Sequence, residues 1–209
     1  SMRMHPPEWN LDLAEGTLAE LEPYLLSSEL FWPMDRRAPA GSPPFPRLTI
    51  GNLLLALDEL SVQEGKLAIA LRTRSQRVRA EWDSALARRI VALERKAQRE
   101  AEARRNLWRA YVADLVDKPD SAGSYVNEVR NRVILARLGQ TLGPARAIET
   151  SEQVQSVDAQ LQSLFRRGSF VWDPELKRAY APDGFWFLYG LPDPGLARNP
   201  AAEPKGYLA

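Results

Sequence analysis

Cysteine is absent from the 209-residue sequence, and histidine occurs only once, at His5. The lack of cysteine excludes disulfides, thiolate metal sites and cysteine nucleophiles. A histidine-based metal site needs more than one ring, and a Ser-His-Asp triad would have to use a residue that we expect to lie in an N-terminal tail. The composition therefore argues against a metal site and against a serine hydrolase.

The common phosphate-binding motifs are missing as well. The sequence contains neither G-x-G-x-x-G nor G-x-x-x-x-G-K-[ST], and it has no E-x-x-H pair of the kind that holds two metal ions in a helical bundle. A hydrolase that uses carboxylates alone is a third hypothesis, but a solvated surface is the favoured interpretation of its candidate pairs, Glu59 with Glu64 and Glu149 with Glu152. We predict a protein that is not an enzyme and binds neither cofactor nor metal.

Long apolar runs are also lacking. No stretch approaches the ~20 apolar residues of a membrane-spanning helix. The first ten residues lack the charged-then-apolar pattern of a signal peptide. We expect a cytoplasmic protein with no membrane association.

Apolar residues recur at helical spacing through most of the chain. Residues 11–30 are predicted to be helical, with an end or kink near Glu22 because Pro23 follows. The five prolines of residues 33–47 predict an extended linker that Phe45 anchors. Thr49 is predicted to cap a second helix, which carries a broad leucine face.

One helix is predicted to be unusually long. Residues from Lys66 to about Val116 contain no proline or glycine and would span ~75 Å at 1.5 Å per residue. That length exceeds a small domain, so the helix projects, is broken, or is covered by a second subunit. Residues 61–65 are ambiguous: a turn there makes a compact bundle, whereas a continuous helix makes a rod.

The C-terminal part differs in character. Further helices are predicted after residue 124 and from a capping box in which Thr150 is the cap and Gln153 reaches back. Seven of the eighteen aromatic residues lie between residues 170 and 189, and the pattern predicts strands at Phe170–Trp172 and Phe185–Tyr189.

The fold class expected is mainly α: a helical bundle or long helical hairpin with one very long central helix and a small C-terminal β-hairpin. An N-terminal helix and proline-rich linker (1–47), the helical bundle (48–168) and an aromatic hairpin with a proline-rich tail (169–209) are expected to pack as a single domain.

Charge is distributed unevenly along the chain. Residues 72–109 hold twelve basic and five acidic side chains, which gives +7 there and −6 elsewhere, for a net charge of +1. Opposite the apolar face of the long helix lies an arginine stripe, defined as Arg74, Arg77, Arg88, Arg95, Arg99 and Arg109. This stripe is a candidate nucleic-acid or anion interface that would track phosphates. A solvated helix face is the favoured alternative, because the protein has 23 arginines against five lysines throughout.

The aromatic residues form the second candidate site. A partner could dock on one face of the predicted hairpin, through Trp172, Phe185, Trp186, Phe187 and Tyr189. Burial against the helices is favoured over docking, because neighbouring aromatic side chains usually bury one another.

Two functions remain open from the sequence. The first is a non-enzymatic interaction or scaffold module, with the coiled-coil-like long helix driving formation of a homo-oligomer or contact with another protein. The alternative is sequence-independent nucleic-acid binding through the arginine stripe.

Overall fold

A computed structural model describes residues 3–143 and 151–198. The described helices are α1 (Pro7–Ala19), α2 (Leu21–Leu26), α3 (Ile50–Gln63), α4 (Ile69–Asp117), α5 (Tyr125–Glu128), α6 (Arg130–Thr141), α7 (Glu152–Gln162) and α8 (Gly195–Arg198). Two strands, β1 (Phe165–Phe170) and β2 (Tyr189–Pro192), pair antiparallel. The predicted fold class, mainly α with one very long helix and a small C-terminal hairpin, is confirmed.

The helix at the centre of the bundle is α3. Each of its residues except Ser61 is buried, because α1, α4 and α6 pack around it. Thr49 caps its N-terminus as predicted, and the hydroxyl oxygen accepts a hydrogen bond from the backbone N–H of Asn52 at 3.0 Å. The sequence predicts burial of one side of α3, whereas in the structure almost the whole circumference of the helix is buried.

The ambiguous residues between α3 and α4 form a break. A single 3₁₀ turn at Glu64–Lys66 ends α3, and the backbone of Leu67 is extended. The chain then enters α4, which packs back against α3. The arrangement is thus the compact bundle and not the rod.

The long helix α4 has 49 residues, close to the predicted extent. Its inner face is buried at intervals from Ser75 to Leu115, first against α1 and α3 and then against α6 and α7. Non-helical dihedral angles at Arg89 (φ −123°, ψ 24°) kink it midway. Because other elements of the chain pack along the inner face of α4, its length by itself no longer argues for a second subunit.

The N-terminal part departs from prediction in detail. The predicted helix 11–30 begins earlier, at Pro7, and breaks at Glu20, so Pro23 lies in the first turn of α2, where a missing N–H is harmless. The proline-rich linker contains no regular element, and Phe45 anchors it by an edge contact with Trp9 at 5.2 Å between centroids.

Two predictions in the C-terminal part are wrong or fall outside the described residues. The cap of α7 is Ser151, whose hydroxyl accepts from the N–H of Val154, while Thr150 lies outside the described residues. The side chain of Gln153 accepts a hydrogen bond from Arg105 at 2.8 Å, and its predicted contact with Thr150 lies outside the described residues.

The strands lie on either side of the aromatic segment and not within it. β1 ends at Phe170 and β2 starts at Tyr189, so the predicted strands 170–172 and 185–189 are wrong. Between them the chain turns through 3₁₀ helices at Pro174–Arg178 and Trp186–Leu188, because these aromatic side chains pack inward from irregular backbone. Gly190 has φ +146°, and a Cβ there would lie 2.1 Å from the carbonyl oxygen of Arg166, which explains a glycine in β2.

Candidate functional site

The arginine stripe divides into two groups in the structure. Nε of Arg74 donates to Glu15 at 2.8 Å and its Nη2 donates to Asp12 at 3.2 Å. The hydrogen bond that Arg74 donates to Glu15 raises the pKa of Arg74. Nη2 of Arg99 donates to the carbonyl of Ser28 at 2.8 Å. These two arginines hold the N-terminal segment against α4 and are occupied by structural contacts.

The other members of the arginine stripe are exposed: Arg77, Arg88, Arg95 and Arg109. Among the described residues, Arg88 donates only to the carbonyl of Ser84 in its own helix, at 3.4 Å, and Arg109 only to the Asn106 side chain, at 3.2 Å. Within residues 3–143 and 151–198 none of the four pairs with a carboxylate. Their charge is therefore available to a partner.

The middle of α4 is exposed on every side. All five residues from 87 to 91 are exposed, and they include Ile90 and the 58% exposed Val91. Successive helical residues point about 100° apart, so five consecutive exposed residues cover the full circumference of the helix. This segment contains the kink at Arg89 and connects the two packed halves of α4.

A groove of about 510 Å³ lies beside this exposed segment, between α2 and α4. Leucines from α1 and α2 form its apolar floor, and charged side chains of both signs form its rim: Glu22, Arg77, Glu81, Arg88 and Arg89. Glu22 and Arg89 are paired across it at 2.6 Å. Arg77, Glu81 and Arg88 have no ion pair among the described residues.

Small side chains continue this surface along α4. Ala80, Ser84, Ala87 and Val91 are all exposed and follow each other at spacings of four, three and four residues. Such spacing places them in one row. We call this row together with Arg77, Glu81 and Arg88 the outer face of α4.

The aromatic docking candidates lie mostly inside the protein. Trp172, Phe185 and Phe187 are buried, whereas Trp186 and Tyr189 are half-buried. The indole N–H of Trp172 donates to the carbonyl of Val126 at 2.8 Å. A partner would reach the three buried side chains only if the fold opened, so the docking interpretation does not hold for them.

Sequence reasoning missed a set of buried polar contacts on α3. Asp58 accepts from Nε and Nη2 of Arg137 at 2.8 and 2.9 Å and from the hydroxyl of Tyr180 at 2.9 Å. The sequence holds one signal of these contacts, which is that Asp58 and Glu59 are adjacent in a leucine-rich helix. Adjacent residues of a helix point to different sides, so two sides of this buried helix each carry a carboxylate.

Glu59 makes the second contact, and it corrects two expectations. It is buried and does not pair with Glu64, which is exposed at the turn. It accepts from the Asn10 amide at 2.6 Å and from the backbone N–H of His5 at 3.0 Å. The ring of His5 stacks on Trp9 at 3.7 Å, so this histidine is not in a free tail. Glu149, of the other candidate pair, lies outside the described residues.

The third contact joins α3 to α4. Glu100 is fully buried, and its carboxylate accepts from the backbone N–H of Gly51 at 3.0 Å and from Nε of Arg104 at 3.2 Å. Arg104 also donates to Thr49 and Asn131. The carboxylate thus lies at the N-terminus of α3, where the helix dipole favours negative charge.

No family model, curated protein or solved structure matches this chain. Its function is therefore inferred from the geometry of its own surface.

Over the described ranges, no three acidic or histidine side chains come together in a way that would hold a metal ion. Among the helices there, none is both long and apolar enough to cross a bilayer.

The buried tyrosines predict a loss of stability in alkali. Burial raises the pKa of Tyr24, Tyr111, Tyr125, Tyr180 and Tyr189 above the ordinary value of 10.0, and for Tyr180 the charge of Asp58 adds to it. A raised pKa means that the unfolded chain releases the proton first, so stability is intact below pH 10 and falls above it. The loss is about 1.4 kcal/mol per pH unit for each of the four buried tyrosines, Tyr24, Tyr111, Tyr125 and Tyr180.

The measurement is tyrosinate absorbance followed together with circular dichroism as the pH rises. We expect the four buried tyrosines to ionise only as the helical signal disappears, whereas a guanidinium-unfolded sample should titrate near pH 10. Arg130 acts in the opposite sense, because burial and the neighbouring Arg104 lower its pKa to about 10, but it is one group against four. Smooth ionisation of all the tyrosines in a folded protein would contradict the prediction.

Proposed function

We propose that the protein is a non-enzymatic interaction module that self-associates through the outer face of α4. The observation that carries the proposal is the exposed segment 87–91. Among the described residues its one ion pair joins Arg89 to Glu22 of α2, and its apolar residue Val91 is 58% exposed. Isolated exposed apolar residues are ordinary, but Val91 continues the row of Ala80 and Ser84, which line a groove with a leucine floor. A cytoplasmic location belongs to the same proposal.

The charges of this face favour a second copy over an unrelated partner. If two α4 helices cross antiparallel near Ser84, Arg88 of each copy faces Glu81 of the other. Both charges then lie about 5 Å along the axis from the crossing point. Such a two-fold arrangement makes each contact twice. The small side chains of Ala80, Ser84 and Ala87 would let the two helices approach closely.

A charge exchange tests this pairing. Glu81→Arg and Arg88→Glu should each weaken the dimer at least tenfold, because two opposite-charge contacts become two like-charge contacts at about 1 kcal/mol each. The double variant Glu81→Arg/Arg88→Glu should restore association. The measurement is sedimentation equilibrium over a range of protein concentrations.

Arg109→Glu serves as the matched control, because Arg109 is an exposed arginine of the same helix outside the proposed contact. It should leave association unchanged. A protein that is monomeric at every concentration would refute self-association. Equal weakening by the single and double variants would refute the antiparallel pairing.

Sequence-independent nucleic-acid binding is the second candidate. It is supported by the four exposed arginines, Arg77, Arg88, Arg95 and Arg109, that have no carboxylate partner within the described chain. Glu81 and Glu102 on the same helix oppose it. Adding a mixed-sequence duplex to the same sedimentation experiment separates the two candidates, because phosphate binding must weaken steeply with salt.

A further inference from the structure

An exposed turn at residues 182–184 lies between the 3₁₀ helices Pro174–Arg178 and Trp186–Leu188. It contains Asp183 followed by Gly184, the only Asp–Gly pair of the sequence, which has no Asn–Gly pair. In such a pair the side-chain carboxyl group can react with the backbone nitrogen of the next residue, because glycine has no Cβ to obstruct the approach. The turn is therefore a candidate site of covalent modification.

Both reacting groups of this turn are free. Among the residues that the structure describes, the carboxylate of Asp183 makes no hydrogen bond or ion pair, and the backbone N–H of Gly184 donates to no acceptor. One hydrogen bond closes the turn, from the backbone N–H of Phe185 to the carbonyl of Ala181 at 3.0 Å. A Cβ built on Gly184 would meet only Nε2 of Gln140, at 3.8 Å, so little packs against the turn.

The pair Asp120–Ser121 shows the opposite arrangement, although Asp120 is also exposed. It lies in the 3₁₀ helix Pro119–Ser124, where the backbone N–H of Ser121 donates to the carbonyl of Lys118 at 2.9 Å. A nitrogen held in that bond does not turn toward the carboxyl group, and the side chain of Ser121 crowds the approach. Exposure alone therefore does not make a reactive pair.

We infer that Asp183 isomerises to isoaspartate in the folded protein. The backbone nitrogen of Gly184 attacks Cγ of the protonated Asp183 carboxyl group. A C–N bond forms, and the carboxyl hydroxyl leaves with the amide proton as one molecule of water, so a cyclic succinimide remains. The reaction is intramolecular and needs no oxidant, reductant or enzyme, because the chain itself holds the two groups next to each other.

Water then opens the succinimide at one of its two C–N bonds. Cleavage at Cγ restores aspartate. Cleavage at the backbone carbonyl carbon of Asp183 leaves Gly184 attached to Cγ, which is isoaspartate with a free α-carboxylate. The product has the same mass as the original chain, but its main chain is longer by one carbon atom.

The longer main chain affects the aromatic segment. Isoaspartate enlarges the loop that the hydrogen bond from Phe185 to Ala181 closes. Phe185 is buried and packs edge-on against Tyr180, at 5.0 Å between ring centroids, and against Phe187, at 6.0 Å. Isomerisation must therefore break that hydrogen bond or move the Phe185 ring.

Incubation of the full chain at neutral pH and physiological temperature tests the inference. Isoaspartate is located by peptide mapping with electron-transfer fragmentation and quantified with a protein L-isoaspartyl O-methyltransferase. We expect about tenfold or more isoaspartate at Asp183 than at Asp120. The rate at Asp183 should also stay within about tenfold of the rate in a guanidinium-unfolded sample, because the fold does not protect the turn.

Variants identify the reacting atoms. Gly184→Ala should lower the rate about tenfold or more, because the added methyl group crowds the attacking nitrogen. Asp183→Glu should abolish the reaction, because the longer side chain would have to close a larger ring. Gly123→Ala is the matched control, since a Cβ there meets no atom within 4 Å, and it should leave the rate at Asp183 unchanged.

Thermal unfolding reports the structural consequence. The isomerised fraction should melt about 2–4 °C below the fresh protein, as expected for the loss of one hydrogen bond in a chain of this length. Asp183→Glu incubated for the same time should show no such fraction.

Three outcomes would overturn the inference. These are isoaspartate no more abundant at Asp183 than at Asp120, a rate in the folded chain more than about tenfold below the unfolded rate, and equal rates for Gly184→Ala and the unaltered protein. Because circular dichroism checks that each variant is folded, a change in rate cannot be attributed to unfolding.

Discussion

Replacing Glu100 with glutamine is expected to lower the free energy of unfolding by about 3 kcal/mol. The carboxylate of Glu100 is fully buried and neutralises Arg104, which is itself only 8% exposed. Glutamine fills the same volume but leaves the Arg104 guanidinium buried without its counter-ion. It also weakens the acceptor for the N–H of Gly51 at the N-terminus of α3.

Guanidinium denaturation followed by circular dichroism measures this loss. For a chain of this size we expect a melting temperature about 6–12 °C lower. Glu102→Gln is the matched control, because Glu102 is exposed one half-turn further along the same helix, and it should change stability by less than about 0.5 kcal/mol. Equal stability of the two variants would show that the buried ion pair does not stabilise the fold.

Gly51→Ala is expected to be nearly as damaging, at about 2–3 kcal/mol. A Cβ at this position would lie 2.3 Å from Cγ2 of Ile134 and 2.4 Å from Oε2 of Glu100. Both distances are far below contact distance, so either α6 or the Glu100 carboxylate must move. The glycine is required for space and not for an unusual backbone conformation.

Gly65→Ala is the matched control for this substitution, and it is not expected to lower the stability. A Cβ on Gly65 meets no atom within 4 Å, and alanine restricts the unfolded chain, so stability should stay the same or rise by about 0.5 kcal/mol. Thermal unfolding of the two variants side by side makes the measurement. If Gly51→Ala were as stable as Gly65→Ala, the close packing of α3 against Glu100 would be refuted.

The two substitutions act on one contact and should not be additive. Gly51→Ala displaces the same carboxylate that Glu100→Gln neutralises, so the double variant should lose less than the sum of the single losses. A fully additive double variant would mean that alanine displaces Ile134 and leaves Glu100 in place.

These buried contacts bear on the proposed function. Glu100 and Arg104 hold the inner face of α4 to α3, and Arg74 holds the N-terminal end of α4 to α1. The inner face of α4 is therefore occupied by contacts within its own chain. The exposed segment 87–91 and the row from Ala80 to Val91 remain for a second copy.

The sequence by itself determined the local features of this protein. Residues 69–117 form α4 because no proline or glycine interrupts them, and Thr49 caps α3 because its hydroxyl reaches a backbone N–H three residues away. The position of the arginine stripe opposite the buried face also follows from helical periodicity alone. Each of these depends on contacts within a few turns of chain.

Tertiary structure decided everything that depends on residues far apart in the chain. Arg74 and Arg77 are indistinguishable by pattern, yet only Arg74 meets carboxylates, because α1 packs beside it. Asp58 and Glu59 look like solvated acids until α1, α6 and Tyr180 enclose them. The aromatic segment was predicted as strands, but packing against the helices turned it inward on irregular backbone. A single sequence records which side chains are present, whereas their partners are set by long-range packing that helical or strand periodicity does not encode.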